Sequence, residues 1–306
     1  MKIKTYLIAI AIISFTSGIT SCKKDNNNSG SSTDTATEAK AQADDQNFYT
    51  TETDAVTDDV NASLNTSGGS YNETPAGVQT PVLALSCDAT ITVDTSANPR
   101  TITITYNGSS CDGRRTRAGT VIVSFATDFK WGMKGAQLSV QFVNLKITRN
   151  LDGKSIVVNG TRTITNVSGG LLKNLATLDS VVHQIDDTNM SITFDNGKQR
   201  TWETHMTRTF TYDNGIVIST AGTVGGENRF GDDFSTSTEA PLVVKQSCDF
   251  RLVSGEVKHV GPKVTTDATF GLDIDGNPVT SCPLVFYMKV VWTGSNGNSL
   301  SAILPY

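Results

Sequence analysis

"RTITITYNGSSCDGRRTRAGTVIVSF", residues 100–125, decides the fold. Its opening alternates: Ile102, Ile104 and Tyr106 face one way, and Thr101, Thr103 and Thr105 the other. A period of two sends successive side chains to opposite faces of an extended chain, so this is a strand with one wet face. Asp112-Gly113 then supplies turn chemistry, and "GTVIVSF" resumes an apolar run. Strand, turn and strand make a hairpin of an antiparallel sheet.

The pattern spreads in both directions. "CDATITVD" (87–94) repeats it with Ile91 and Val93. Further strand-like runs occupy 119–127, 137–148, 155–167, 189–195, 199–212, 215–224, 241–246, 248–260, 264–272, 283–293 and 299–304. Asp152-Gly153, Asn196-Gly197, Asn214-Gly215, Asp275-Gly276 and Asn296-Gly297 punctuate them as turns. In "LSVQFVNLKI" (138–147) the apolar parity flips between Phe142 and Val143, which predicts a bulge. "SGGLLKNLATLDSVVHQ" (168–184) reads as helix or long loop. About a dozen strands with tight turns predict an all-β domain over residues 81–306, a large antiparallel sandwich or roll. It is read as divisible into halves, 81–175 and 185–306.

The N-terminus has a different character. Lys2 and Lys4 precede an apolar run from Tyr6 to Phe15, and small residues lead to Cys22. That is a secretory signal peptide over residues 1–21, too short an apolar run for a membrane span. "ITSC" resembles the lipobox of bacterial lipoproteins, in which Cys22 becomes the lipid-bearing first residue of the mature chain. An acyl anchor such as palmitate partitions by about 0.8 kcal/mol per buried CH₂. Residues 22–44 have no large apolar side chain and read as a disordered tether. Residues 45–80 hold a short acidic helix, with Phe48, Val56, Val60 and Leu64 at multiples of four, followed by a linker. Lys23 stands after Cys22, with no Asp to suggest inner-membrane retention, so the outer membrane is expected, in either leaflet.

The chain's formal charge is −5. Residues 23–80 carry three lysines against ten acids, and residues 81–306 carry twenty charges of each sign. A neutral domain has no field to attract a polyanion, which argues against nucleic acid as a partner. Beyond Cys22 four cysteines remain, an even number suited to an oxidising compartment. Of the three pairings open to them, Cys87–Cys111 and Cys248–Cys282 are favoured because each ties neighbouring strands. No C-x-x-C spacing points to zinc.

The same 100–125 stretch resembles a signature in a large group of Bacteroidota lipoproteins: a strand, a cysteine, Asp-Gly-Arg, another basic residue, a glycine and a second strand. Here those residues are Cys111, Asp112, Gly113, Arg114, Arg117 and Gly119. "NGTRTITNVSGG" (159–170), "GTVGGENRFGDDFSTST" (222–238) and "DIDGNPVTSC" (273–282) are similar too. The resemblance implies architecture and location, and no activity.

Several groups invite a sharper reading. Arg115 and Arg117, on one strand face, could clamp an anion, since guanidinium binds carboxylate or phosphate in a fork; the plainer reading is a charged, exposed hairpin. Glu203 and His205 share a face in "TWETH", with Arg200 taken to lie beside them. A carboxylate beside an imidazole suits base chemistry, but no nucleophile motif accompanies them. His183, near Asp186 and Asp187 in "VVHQIDD", and His259 complete the histidines, and a metal site would require convergence. "GENRFGDD" (Glu227, Asp232, Asp233) and "DIDGN" (Asp273, Asp275, Asn277) offer oxygens to Ca²⁺ but read equally as turns. Trp131, bracketed by Gly132 and Gly135, is the aromatic best placed to stack on a sugar.

The sequence therefore predicts a lipid-anchored envelope protein with a structural or binding role, no catalytic residue, no metal and no cofactor. Its expected partners are the membrane, through the lipid, and a glycan or another envelope protein. The alternatives are a glycan-binding adhesin, a carrier of hydrophobic cargo and a metal-assisted hydrolase.

Overall fold

A computed structural model describes residues 87–306, except Asp112 and Phe129, together with residues 45, 48, 49, 52, 53, 55–57, 59 and 60. The expected signal peptide, Cys22, the expected tether and the linker lie outside the described residues. Thirteen strands form one antiparallel sheet: β1 (Ala89–Asp94), β2 (Arg100–Ser109), β3 (Arg115–Phe125), β4 (Ala136–Arg149), β5 (Ser155–Asn166), β6 (Val181–Phe194), β7 (Gln199–Tyr212), β8 (Ile216–Glu227), β9 (Asp233–Lys245), β10 (Arg251–Val260), β11 (Val264–Leu272), β12 (Tyr287–Gly294) and β13 (Ser299–Pro305). Spatial order equals chain order, so every strand pairs with its neighbours in sequence. The sheet runs unbroken from β5 to β6, where Ile164 faces Ile185. Between those strands, Leu172–Thr177 forms a 3₁₀ helix with Leu175 buried.

The alternation in sequence becomes burial. Ile102, Ile104, Tyr106, Val121, Val123, Leu138, Val140, Ile156, Val158, Met190 and Trp202 all lie in one core on one face of the sheet. The described residues of 45–60 are helical. Tyr49, Val56 and Val60 enter the same core, so the helix covers the apolar face of β1–β9.

Bulges shape the sheet. Register shifts on β4 between Phe142 and Leu145 match the parity flip at Val143, with Asn144 in the left-handed region at φ 47°. A Cβ on the facing Gly119 would lie 2.4 Å from the Asn144 carbonyl oxygen. The device recurs on β6, where Asn189 (φ 51°) lies over Gly160. Each extra residue bends and twists its strand, and glycine opposite accepts the close backbone approach.

The two disulfides are Cys87–Cys111 and Cys248–Cys282, with Cα separations of 5.1 and 5.3 Å. The first ties the start of β1 to the β2–β3 turn, and the second holds the β9–β10 corner to the β11–β12 connection.

Candidate functional site

The richest arrangement of ionisable groups is the bed on which the helix rests. Arg117 follows the apolar phase of β3, in step with Val121, Val123 and Phe125, so it points inward. Its Nε and Nη2 donate to the two carboxylate oxygens of Asp88 at 2.7 and 2.8 Å, and Nη1 donates to Asp59 of the helix at 3.0 Å. Tyr106 donates to the same Asp59 oxygen at 2.8 Å, and the guanidinium lies 4.2 Å from the Tyr106 ring centre. Burial opposes the charge on Arg117, but the Asp88 bonds and the surrounding anions raise its pKa above the usual arginine value. Two residues earlier, Arg115 reaches Glu52 at 2.6 Å.

A second cluster lies under the helix's first half. Arg162 of β5 forks onto Asp187 of β6 at 2.7 and 3.0 Å. Tyr49 donates to Asp187 at 2.7 Å and accepts from Arg162 at 2.9 Å. Burial raises the Asp187 pKa, but Arg162 and the hydrogen bonds outweigh it and hold the carboxyl below the usual carboxylate range. Desolvation, then the neighbouring Asp187 charge, pushes the Tyr49 hydroxyl far above its ordinary value. The Tyr49 ring meets Trp202 edge-on at 4.0 Å. Beyond β8, Arg229 pairs with Asp45, at 2.7 Å through Nε, and lies over the Phe194 ring. The helix thus crosses the strands from the β8–β9 turn to β2–β3, pinned at Asp45, Tyr49, Glu52 and Asp59.

These contacts correct the reading of Arg115 and Arg117 as dressing for an exposed hairpin. Arg117 is only 5% exposed. The acids that meet them come from this chain, chiefly from the helix. Arg162, Asp88, Tyr49 and Arg229 do not figure as site residues in the sequence reading, and Asp187 figures there only beside His183. The signal for two of them is present in the sequence: Arg162 falls in phase with Val158 and Ile164, and Asp187 with Val181 and Ile185. A charge on the apolar phase of a strand needs a buried counter-charge.

The outer face is organised differently. Asp186 and His205, paired across β6 and β7, meet at 2.5 Å between Oδ1 and Nδ1. Gln184 bridges to Thr207 beside them at 3.1 Å. Asp186 and His205, with Glu203, Thr188 and Thr223, line a shallow depression. The imidazole is oriented, but its side chain is 76% exposed. Arg200 is absent from this face. It shares phase with Trp202, is 1% exposed and packs over the Phe234 ring at 4.5 Å. Burial lowers its pKa to about 10.

The three histidines do not converge. His183 is buried on the opposite face from His205, between the Trp131 and Phe210 rings. His259 contacts Thr236 and stacks on Phe234. Burial brings both His183 and His259 down to about 4, with Arg208 adding to the effect at His183 and Arg200 at His259. Among the described residues no group of three His, Cys, Asp or Glu side chains is placed to hold a metal ion. The Asn228 and Asp273 side chains cap their own turns, accepting N–H bonds from Phe230 and Asp232, and from Asp275 and Asn277, respectively. Trp131 is half-buried against the core instead of standing clear on its loop. The Trp131 carbonyl accepts from Asn166, which also binds both Gly169 and Gly170.

No family model, no curated protein and no solved structure matches the chain. No helix of the described residues is long and apolar enough to cross a membrane.

Proposed function

We propose that this chain is a lipid-anchored cell-envelope protein, held at the outer membrane through Cys22, with a non-enzymatic structural or binding role. The observation that carries this reading is the helix bed. The segment that follows the tether is locked to the sheet at four places, three of them arginine–carboxylate pairs. A domain fixed in this way to its own membrane-proximal segment transmits position and force from the anchor to the whole sheet. The best-organised buried charges are committed to that joint, and the imidazole of His205 lies open to water. The similarity to Bacteroidota lipoproteins supports the same placement. A hydrophobic cargo would need the apolar face that Tyr49, Val56 and Val60 fill.

The test is metabolic labelling with an alkyne fatty acid in a Bacteroidota host, followed by membrane fractionation. The wild-type chain is expected to take the label and sediment with the outer membrane. Cys22→Ser is expected to lose both. Equal labelling of the two chains, or a mature N-terminus other than residue 22, would overturn the proposal.

A further inference from the structure

The sheet has two edges, and they differ. β1 is six residues long, ends at Asp94 and is tied at its start by the Cys87–Cys111 disulfide. Charge and brevity are standard protection for a strand edge. β13 is only one residue longer and ends in Pro305, but it has no charged side chain. Residues 299–306, "SLSAILPY", carry no charge. β13 pairs with β12 from Ser299 to Pro305, and no described residue pairs with its other side. Leu300 is 69% exposed, although it sits on the apolar face beside Trp292. Ile303 is partly exposed on the outer face, next to the Asp275-Gly276 turn that presents Ile274 at 65%. The end of the strand is nevertheless anchored. Tyr306 donates to the Leu252 carbonyl, accepts from the Gly271 N–H and packs on Phe270 and Phe286. An anchored, uncharged, apolar edge is a template for one more strand.

We propose that β13 pairs with β13 of a second copy of this chain, antiparallel about a two-fold axis, so that the two sheets become one. Three observations favour this occupant. A two-fold axis brings each strand against its own sequence, and a strand without charges meets itself without repulsion. This chain's own outlying segments are poorly suited. Residues 23–44 have no large apolar side chain, and residues 61–86 are joined to Cys87 beside the opposite edge. Finally, pairing consumes both β13 edges and leaves only β1 edges outside, so the association closes at two.

The experiment uses the full chain with Cys22→Ser, secreted and purified without detergent. Light scattering coupled to gel filtration, over a concentration series, is expected to show a dimer and nothing larger. Ile303→Lys puts a cation into each β13 edge and is expected to weaken association by about tenfold or more, whereas Ile303→Thr leaves it intact. Near-ultraviolet circular dichroism of both variants checks that the fold survives. Single cysteines placed in turn at residues 299–304 locate the axis, because the residue nearest it oxidises to a cross-linked dimer much faster than the rest. A monomer at every concentration overturns the proposal. So does a dimer that ignores Ile303→Lys and gives no cross-link along β13, since it must use another surface. A foreign strand as the true occupant would appear as the first of these outcomes.

Discussion

Arg162 and Asp187 show how a charge survives inside the sheet. Each is buried, and each satisfies the other through two hydrogen bonds, with Tyr49 closing the ring. Removing one partner strands the other. Arg162→Leu is expected to cost about 3–5 kcal/mol in urea unfolding, and Arg162→Leu with Asp187→Leu to recover most of that loss. The depressed Asp187 pKa stabilises the fold above the ordinary carboxylate range, and that contribution disappears as pH falls through the folded value. His183 and His259 act in the same direction at higher pH. Their folded values near 4 lie below the unfolded 6.5, so the unfolded chain takes protons first and stability falls as pH drops from 6.5 toward 4. His183→Gln is expected to flatten this slope by about 2 kcal/mol across that interval, read as unfolding midpoints at successive pH values.

At the scale of elements, the helix is the part most dependent on others. A segment of this length is marginal on its own, and its stability comes from the surface it covers. Glu52→Lys with Asp59→Lys turns two attractions into repulsions against Arg115 and Arg117. Hydrogen exchange over residues 45–60 is expected to rise steeply in that variant, while β3–β6 keep their protection. The bulges are just as specific. Gly119→Ala drives a methyl into the Asn144 carbonyl and is expected to cost about 2–4 kcal/mol in thermal unfolding. Much of this was legible. The period of two placed Ile102, Ile104 and Tyr106 inward, and the parity break at Val143 announced the β4 bulge. The strand bounds failed where polarity hid the chain's extension. β9 begins at Asp233 because "DFSTSTEA" pairs by backbone with little apolar signal, and β6 begins at Val181, ahead of its own bulge. The helix bed escaped for a different reason. Phase alone shows that Arg117 and Arg162 point inward, but not which distant acid waits there, because that depends on where a separate helix settles.

For the whole molecule, a sheet assembled only from sequence neighbours is unevenly covered along its length. The helix and the main core cover β1–β9, while β10–β13 rely on smaller clusters around Phe270, Met288 and Phe286. The Cys248–Cys282 bond closes a loop across that weaker part. Replacing both cysteines with alanine is expected to lower stability by about 3 kcal/mol in urea titration, with the loss of exchange protection concentrated in β10–β13.

The order of the strands has a consequence in time. Each hairpin needs only the segment just made, so the sheet can assemble progressively as the chain emerges. The helix cannot follow that schedule. Tyr49 waits for Asp187, 138 residues later, and Asp45 for Arg229, 184 residues later. The earliest described segment of the chain is therefore among the last to find its place. Until then a growing apolar sheet stands uncovered, and the seating of one acidic helix marks the moment the domain becomes finished.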